Sequence, residues 1–476
     1  MTMRSLARTA FRSCVGTAVV AATVPLAACG GTSKPNVVLV VVDSLRADAL
    51  GAAGDRPSAS PEIDRLAAEG LRFERAVAPA SWNLPAISSL VTSAPPWTHG
   101  QGSPASGTAE VATLAEAFAR GGYRTAAFTE AAWPLLERGF ETFENTAGEH
   151  VFGDPEASSA ERTVTAALEW IREADARPFF ALVHTYEAHS YFLGKPAHHA
   201  SARRENVGYE GPFRSWAVRD FSRPAGDQVI EALLEADADD LAYVKSLYRG
   251  AISEVDGAVG RLAGALVEAG LDKRTVLALT SSNGEGFRPD LGRVHHGGRL
   301  HHDLLHVPLF VRAPGRLEPG SVPSLVETLD VAPTLLALAG LPEEPLFAGH
   351  ALVAAEGGLL ASLRGPRFAQ RTPPDDAVLA QEAAFRVLPS GQREAATAPQ
   401  YALYSGWVTL IDAGDHVELY DLKADPTQER NLAGERPDVA EGLRQELQRL
   451  AAQAGRSAAA PDDDQLEQLR SLGYVQ

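Results

Sequence analysis

The chain has 476 residues, of which 45% are hydrophobic, and a formal net charge of -18 at neutral pH. A chain of this length and composition can bury a large core, and it predicts a globular protein with one big domain and a smaller companion. The acidic balance and the lack of clustered Lys and Arg argue against a nucleic-acid backbone as partner, because phosphate binding needs such clusters.

The N-terminal residues have the pattern of an export signal with a lipid attachment site. Three arginines precede an apolar run at 15–26, which is too short to span a bilayer. The run ends in Leu-Ala-Ala-Cys, which resembles the processing site of bacterial lipoproteins. We therefore expect 1–28 to be a signal peptide and 29–35 to be a tether lipidated at Cys29, which anchors the chain in the cell envelope. Cleavage as an ordinary signal peptide is the alternative.

The only two cysteines, Cys14 and Cys29, fall within this N-terminal segment. The predicted folded domain therefore has no thiol, which excludes disulfides, cysteine nucleophiles and thiolate metal ligands from it. The residues between Cys29 and the domain, from Gly30 to Lys34, are predicted to be a short polar linker between lipid and protein.

Residues 36–345 are predicted to form a large α/β domain in which strands and helices alternate. In chain order the predicted elements are strand 37–43, helix 61–70, strand 71–78, helix 112–119, strand 125–130, helix 160–174, strand 178–184, helix 243–269, strand 275–281, strand 307–314 and helix 331–338. Residues 196–240 are loop-rich with helical patches. This alternation predicts a large, mostly parallel sheet with helices on both faces.

The C-terminal part differs in composition. Gly, Arg and Pro are frequent at 357–374, so we expect 346–380 to be a linker or surface excursion. The remaining residues, 381–476, are predicted to form a small α+β subdomain with an antiparallel sheet. Its predicted elements are strand-like segments at 383–388, 401–411 and 416–422 and helices at 438–454 and 464–472.

Four polar clusters each follow a predicted strand. They are Asp43, Ser44, Arg46 and Asp48; the segment 81–85; His184, Tyr186, Glu187 and His189; and 282–285 with five histidines between 295 and 306. Open α/β sheets place their chemistry at the carboxyl ends of the strands, so convergence there would build a pocket for a hard cation and an oxyanion. Alternatively, Asp43 only caps the turn after its strand.

Several segments resemble the sulfatases of the alkaline-phosphatase superfamily. VVVDSLRADALG resembles the family's metal-binding strand end, and APASWNLPAISSLVTSAPPWTHG resembles its nucleophile signature. HTYEAHSYF resembles its substrate-side histidine segment, and LTSSNGEGF with HHGGRLHHDLLHVPLFVRAPG resembles its second metal segment. LDVAPTLLALAGL, HVELYDLKADPTQERNLA and LRSLGYV resemble its closing elements. The resemblance covers nearly all of 36–476 in the expected order and implies an alkaline-phosphatase-like fold.

The resemblance also implies a reaction, which is hydrolysis of sulfate or phosphate esters at a divalent-metal site. In that family a cation, usually calcium, lies beside a formylglycine nucleophile made from Cys or Ser. Asp43 matches a metal carboxylate, and Asn283 matches the amide or imidazole ligand. His189 and His296 match catalytic positions on the substrate side.

Two further residues are weaker candidates for binding the substrate anion. His184 ends a predicted strand and is either substrate-binding or a hydrogen-bonded core histidine. Arg299 could steady an anion, or it is a solvated surface residue. Arg46 is expected to pair with Asp48 or Glu285.

The departures from the family pattern concern the reaction itself. Asn83 occupies the nucleophile position, and an amide neither attacks an ester nor yields formylglycine, so that cofactor is not expected. Ile87 stands where the signature often has Arg. Ser282 replaces the Asp expected beside Asn283, and Ser44 replaces a second carboxylate that some members also lack.

Calcium binding should therefore be weak or absent unless Glu285, Asp48 or the histidines substitute for the missing carboxylates. The His-rich loop could recruit zinc instead, since imidazole suits that ion. The alternative is that this loop is solvated and polar. Hydroxyl groups near Asn83 could replace the nucleophile, although such residues at a helix start are mostly caps; they are Ser81, Ser88, Ser89 and Thr92.

Two functions remain open from the sequence. The first is an envelope-anchored hydrolase of sulfate or phosphate esters with an altered site, acting on a small molecule or glycan. The second is a catalytically silent relative that binds an anionic glycan or a protein partner. The fold alone does not decide between them, because function depends on the site.

Overall fold

One large sheet organises the residues that the structure describes. The computed structural model describes 34–101, 110–131, 134–147, 158–173, 175–217, 225–297, 299–354, 377–382, 385–387, 393–395, 400–414 and 416–453. The predicted signal peptide, Cys29 and all but the last two residues of the tether lie outside these ranges. So do most of the predicted linker and the predicted helix at 464–472.

The strands predicted in the α/β part are all present, and four further strands, at 142–145, 286–288, 293–295 and 320–327, were not predicted. The strands are β1 (Asn36–Val42), β2 (Leu71–Val77), β3 (Arg124–Thr129), β4 (Thr142–Asn145), β5 (Phe179–Thr185), β6 (Thr275–Ser281), β7 (Gly286–Arg288), β8 (Arg293–His295), β9 (His306–Arg312), β10 (Gly320–Glu327), β11 (Ala377–Glu382), β12 (Phe385–Val387), β13 (Arg393–Ala395), β14 (Gln400–Ser405), β15 (Val408–Asp412) and β16 (Val417–Asp421).

The helices include one long element, α9, and several short ones. They are α1 (Pro61–Ala68), α2 (Asn83–Thr92), α3 (Pro96–His99), α4 (Leu114–Arg120), α5 (Pro134–Glu137), α6 (Ser159–Ile171), α7 (Pro196–Glu205), α8 (Ala225–Leu234), α9 (Ala238–Glu268), α10 (His302–Leu305), α11 (Val331–Ala339) and α12 (Pro437–Gln453). None of the described helices combines the length and the apolar stretch that a membrane span requires.

The main sheet confirms the predicted mostly parallel architecture. Within the described residues its strand order is β10-β2-β9-β6-β1-β5-β3-β4. Neighbouring strands are parallel except at β9, which runs antiparallel to both β2 and β6. The central strand β1 is buried along its whole length, which explains why it consists of aliphatic residues after its first position.

The two faces of β1 belong to two different hydrophobic cores. Val37, Leu39 and Val41 pack in one core with α2, α4 and α11, whereas Val38 and Val40 pack in the other with α1, α6 and α9. Successive side chains of a strand point to opposite faces, so a run of aliphatic residues serves both layers. The sheet is therefore covered by helices on both sides, as expected.

A small antiparallel sheet follows at the C-terminus, with the order β11-β14-β15-β16. The predicted strand at 401–411 is in fact two strands, because Gly406 turns the chain with a positive φ of 59°. Side chains of this sheet, such as Tyr404, share a hydrophobic cluster with Val77 and Leu305 of the α/β part. The C-terminal sheet is thus packed beside the carboxyl end of β2.

Candidate active site and metal ligands

The carboxyl ends of three adjacent strands bring the predicted clusters together. β1 lies between β5 and β6, and Val41 pairs with His184 while Val42 pairs with Ser281. The residues that follow these pairs, Asp43 and Ser282, therefore reach the same edge. The Asp43 amide donates to the Thr185 carbonyl at 2.9 Å, which extends the β1–β5 ladder by one step. Parallel strands thus explain the convergence that the sequence predicted.

Asp43 is fully buried and is not a turn cap. Its Oδ1 accepts a hydrogen bond from the Ser282 hydroxyl and lies 3.3 Å from His184 Nε2, which is within ion-pair range although not aligned as a hydrogen bond. Its Oδ2 has no hydrogen-bond partner within the described residues. Burial acts to raise the pKa of Asp43, but the nearby His184 and the hydrogen bond from Ser282 outweigh it, and the pKa is lowered.

Ser44, Ser282 and Asn283 fill the rest of the position at which the resemblance places the cation. The Ser282 hydroxyl is also 2.8 Å from Asn283 Oδ1, and Asn283 Nδ2 donates to the Ser44 hydroxyl at 3.3 Å. Ser44 adopts a left-handed backbone with φ of 58°, and its carbonyl accepts a hydrogen bond of 2.6 Å from Tyr248. The polar groups of this position are therefore bonded largely to one another.

A calcium ion does not fit this donor set. Calcium takes six to eight oxygen ligands and depends on carboxylates for affinity. Asp43 supplies the single carboxylate of the position, and one of its oxygens already accepts the Ser282 proton. The hydroxyls of Ser44 and Ser282 are weak substitutes, since they cannot balance the charge of the ion.

Asn83 begins helix α2 and is buried, with an exposed fraction of 2%. Its Oδ1 accepts a hydrogen bond of 3.0 Å from the Leu84 amide, and its Nδ2 donates to the Tyr186 hydroxyl at 3.2 Å. Both ends of the amide are thus engaged by the protein. The side chain that replaces the nucleophile acts as a structural link between α2 and the segment after β5.

The hydroxyl groups of Ser89 and Thr92 do not form a replacement nucleophile. The Ser89 hydroxyl lies 2.9 Å from His99 Nε2, and the Thr92 hydroxyl donates to the Ser88 carbonyl at 2.7 Å. Ile87 is fully buried in the core beside them. These side chains belong to the interior of α2 rather than to the edge of the sheet.

A row of aromatic rings runs from β5 to the His-rich loop. Ring centroids are 5.2 Å apart for His184 and Tyr186, 5.2 Å for Tyr186 and His189, and 4.8 Å for His189 and His296. His184 is also within 2.8 Å of the Thr129 hydroxyl through its Nδ1. Burial, with the nearby His296 and His295, holds the pKa of His189 well below its ordinary value, so its imidazole is neutral at neutral pH.

A buried ion-pair network holds the segment that carries His189. Glu187 Oε2 lies 2.8 Å from Lys195 Nζ and 2.9 Å from the Ser159 hydroxyl, and Oε1 lies 2.9 Å from His198 Nε2. Burial acts to raise the pKa of Glu187, but His198 and Lys195 outweigh this effect, and the pKa is lowered. Glu187 belongs to one of the predicted polar clusters, whereas its partners Lys195 and His198 lie in no recognisable motif.

The His-rich loop is not a solvated polar loop, so that alternative is wrong. His295 and His296 are buried, with exposed fractions of 3% and 1%, because the short hairpin of β7 and β8 folds them against Glu285. Glu285 Oε2 is 3.0 Å from His296 Nδ1, and Oε1 is 3.4 Å from His295 Nδ1. These three residues form a buried group that could hold a metal ion.

The two candidate arginines have different surroundings. Arg46 pairs with Asp48 at 2.7 Å, and its contact with Glu285 is a hydrogen bond of 2.8 Å to the main-chain carbonyl rather than an ion pair. Arg299 is half-buried beside Gly292. No hydrogen bond or ion pair between described residues joins Arg299 to the Asp43 position or to the histidines.

A cavity of about 790 Å³ lies next to this edge, between α9, the Arg46 segment and the C-terminal sheet. Its lining includes Arg46, Arg75, Lys245, Arg249, Arg288 and Trp407. The Arg75 guanidinium group lies over the Trp407 ring at 3.9 Å from its centroid. Burial, with Arg46 and Arg288, lowers the pKa of Lys245. These basic residues come from distant parts of the chain, so a cluster could not be predicted from the sequence.

Comparisons with known proteins agree with the fold and the site. The family model described as Sulfatase matches residues 35–341. The chain belongs to the sulfatase family. It is 27% identical to human arylsulfatase A, over 88% of this chain and 88% of that protein. The family typically uses a divalent metal, which makes the altered donor set at Asp43 a property of this member.

Solved structures show the same fold at lower identity. A structure described as a 2-O GAG sulfatase superposes with a TM-score of 0.68 and 20% identity, over 91% of this chain and 96% of that chain. A protein solved in complex with its substrate D-glucosamine-2-N,6-O-disulfate superposes with a TM-score of 0.67 and 20% identity, over 89% and 98%. The α/β domain and the C-terminal sheet are therefore those of a sulfatase.

Proposed function

We propose that this sulfatase-family protein binds a sulfated or phosphorylated glycan without hydrolysing its ester by the family's formylglycine and calcium route. The observation that carries the proposal is Asn83 at the nucleophile position. Its amide has no nucleophilic oxygen or sulfur, and it is hydrogen-bonded at both ends to Leu84 and Tyr186. Ser282 in place of a metal carboxylate supports the same conclusion, because it removes a second part of the same reaction.

The cavity beside the sheet edge supports an anionic ligand. Its volume suits a ligand of one or a few sugar rings. Lys245 takes part in none of the ion pairs between described residues, and Arg75, which lies against Trp407 and donates to the Gly406 carbonyl, forms no ion pair among them either. These two cationic groups are available in a lining that also contains the carboxylates of Asp48, Asp55, Glu74 and Asp303. Two structural neighbours are described as a 2-O GAG sulfatase and as a complex with D-glucosamine-2-N,6-O-disulfate, which favours a sulfated sugar as ligand.

A second candidate is ester hydrolysis with an altered site. The observation that favours it is the buried group of Glu285, His295 and His296, which lies beside His189 at the same edge. If an ion bound there activated a water molecule, the reaction would not need a side chain at the position of Asn83.

Turnover measurements separate these two functions. The protein without its signal peptide would be assayed with aryl sulfate and aryl phosphate esters in the presence of calcium, magnesium, manganese or zinc. We expect no turnover above that of the Asp43→Ala variant, which serves as the matched control. Turnover that Asp43→Ala or Glu285→Gln abolishes would rule out the silent function and favour the altered hydrolase.

Calorimetry with D-glucosamine-2-N,6-O-disulfate tests the binding function. Lys245→Met should weaken binding about tenfold or more, because a charge-assisted contact in a partly buried site is lost. Lys273→Met changes an exposed lysine outside the cavity and should leave binding unchanged. Equal binding of unsulfated D-glucosamine, or no binding of either sugar, would contradict the proposal.

We also propose that the protein is exported and anchored in the cell envelope by a lipid on Cys29. The basic start, the short apolar run and the Leu-Ala-Ala-Cys sequence support this location. Labelling of cells with a radioactive fatty acid should mark the protein when it is expressed with its signal peptide, and Cys29→Ala should abolish the label and release the protein from the membrane fraction. Retention of the label in that variant would exclude Cys29 as the attachment site.

A further inference from the structure

The hairpin of β7 and β8 places three metal-binding side chains at one point. Gly286 pairs with His295 in its register, so one step further along the hairpin Glu285 lies opposite His296. Gly286 permits this close approach, because a Cβ there would lie 2.7 Å from the His295 carbonyl oxygen. His295 itself adopts a left-handed backbone with φ of 57°, which is unfavourable for a residue with a side chain. The backbone therefore holds His295 and His296 together against Glu285.

The two distances from Glu285 to the histidines, one from each carboxylate oxygen, are close to those between the ligands of a small tetrahedral ion. Glu285 is 3.0 Å from His296 Nδ1 and 3.4 Å from His295 Nδ1, and one ligand atom from each residue lies within 4.8 Å of the others. Zinc bonds of about 2.0–2.1 Å in a tetrahedron place their ligand atoms about 3.3 Å apart. Only a small movement of the side chains would be needed to admit the ion.

The donor types favour zinc over calcium. Two imidazole nitrogens and one carboxylate form a set of three protein ligands with an open fourth position, as zinc accepts, whereas calcium needs six to eight oxygens. All three residues are buried, which shields the group from bulk water. The His189 ring lies beside the group, 4.8 Å from the ring of His296 and 6.0 Å from that of His295.

Neighbouring groups hold both the carboxylate and the main chain of Glu285. The Gly286 amide donates to Glu285 Oε1 at 3.1 Å, and Arg46 donates to the Glu285 carbonyl at 2.8 Å. Partners of this kind fix the orientation of metal ligands in known sites. The Asp43 position offers no comparable set, because its hydroxyls and amide are bonded to each other.

We propose that Glu285, His295 and His296 bind a zinc ion, and that this chain has thereby moved its metal site away from the family position at Asp43 and Asn283. This site does not depend on whether the protein hydrolyses esters or only binds them. A water molecule or His189 completes the coordination.

Calorimetric titration of the chelator-treated protein with zinc tests this site. The protein without its signal peptide should bind one equivalent of zinc. Glu285→Gln and His295→Ala should each weaken binding by at least about 100-fold, since loss of a ligand costs more than loss of an orienting partner. His301→Ala, in the same loop but outside the group, and Asp43→Asn should bind zinc as the unmodified protein does.

Cobalt absorption provides a measurement that does not rely on the variants folding. Cobalt bound in place of zinc should give the intense visible bands of a tetrahedral site with nitrogen and oxygen ligands, and zinc should displace them. Absence of zinc binding, weak bands of an octahedral site, or loss of binding in Asp43→Asn but not in Glu285→Gln would each overturn the proposal.

Discussion

Two positions at the same sheet edge differ in the side chains that they offer to a metal ion. At the family metal position, Asp43 is left as the carboxylate and is hydrogen-bonded by Ser282 in place of a cation. Three residues after Ser282, Glu285 lies against His295 and His296 in a buried group of metal-binding type. The strand β6 leads to both positions. The same sheet can therefore be kept while the metal ligands directly after β6 are replaced by ligands in the hairpin that follows it.

The physical cost of a buried carboxylate explains how each position is stabilised. An isolated buried charge is expensive, so it must be paired and hydrogen-bonded. Asp43 is compensated by His184 and by the Ser282 hydroxyl, whereas Glu285 is compensated by two imidazoles. The contacts of Asp43 occupy its carboxylate with a hydroxyl group. The contacts of Glu285 bring its carboxylate together with two imidazole nitrogens that can bind a metal ion.

The largest expected effect concerns the segment after β5, which carries His189 beside both positions and contains Glu187. Glu187→Gln should lower the free energy of unfolding by about 3–5 kcal/mol, because it leaves the buried Lys195 charge without its carboxylate. Denaturant unfolding would measure this loss. The double variant Glu187→Gln/Lys195→Met is the control and should recover much of the stability; a loss in the double variant as large as in the single one would contradict the role of the ion pair.

Restoring a carboxylate would convert the first position back toward the family pattern. Ser282→Asp should destabilise the calcium-free protein by about 3 kcal/mol, since it buries a second negative charge beside Asp43. Calcium at about 100 times its dissociation constant should return about 2.7 kcal/mol, which thermal unfolding with and without the ion would reveal. The unmodified protein is the control and should show no calcium-dependent shift; an equal shift in both proteins would mean that the present position already binds calcium.

Tyr248 holds the backbone at Ser44, which has a left-handed conformation. Its hydroxyl donates to the Ser44 carbonyl at 2.6 Å and accepts from the Arg46 amide at 3.0 Å. Tyr248→Phe should lower the free energy of unfolding by about 2 kcal/mol, because a buried carbonyl and a buried amide lose their partner. Denaturant midpoints would measure it, with Tyr209→Phe, whose hydroxyl bonds to Asp240 nearer the surface, as the comparison. A loss below that of Tyr209→Phe would show that Ser44 is held by other contacts.

The smallest expected effect concerns His99 at the end of α3, which is packed against helix α2 through the Ser89 hydroxyl. Burial lowers the pKa of His99 to about 3, against an ordinary value of 6.5, while a bond to the Pro85 carbonyl acts in the opposite direction. The unfolded chain therefore binds a proton below pH 6.5 that the folded chain does not. Stability from His99 is present above pH 6.5 and is lost at about 1.4 kcal/mol per pH unit as the pH falls toward 3.

Unfolding curves between pH 6.5 and pH 5 test this dependence. His99→Gln should lose less stability than the unmodified protein over that interval, by about 1.4 kcal/mol per pH unit. Other buried histidines contribute to both proteins, so the difference between the two slopes isolates His99. Parallel slopes would show that His99 titrates equally in the folded and unfolded chains.

The central strands and their site residues could be predicted from the sequence, because their signals are local. β1, β5 and β6 are aliphatic runs that end in polar residues, and their parallel arrangement forces Asp43, His184 and Ser282 to one edge. The reversed direction of β9 could not be predicted, since it depends on the path of the intervening loop rather than on the residues of the strand.

The burial of the His-rich loop and the basic cavity were beyond the sequence for a different reason. His295 and His296 are buried by a hairpin of two three-residue strands, which is too short to give a periodic pattern. Lys245 and Arg75 meet only because α9 and β2 approach the C-terminal sheet in the folded protein. Contacts between distant segments decide both features.

Diffraction from crystals grown with both zinc and calcium, recorded on each side of the zinc absorption edge, would compare the two positions in one experiment. The account predicts one anomalous peak between Glu285, His295 and His296 and no ion beside Asp43 and Asn283. An ion held by Asp43 and Asn283, with none at the hairpin, would contradict it.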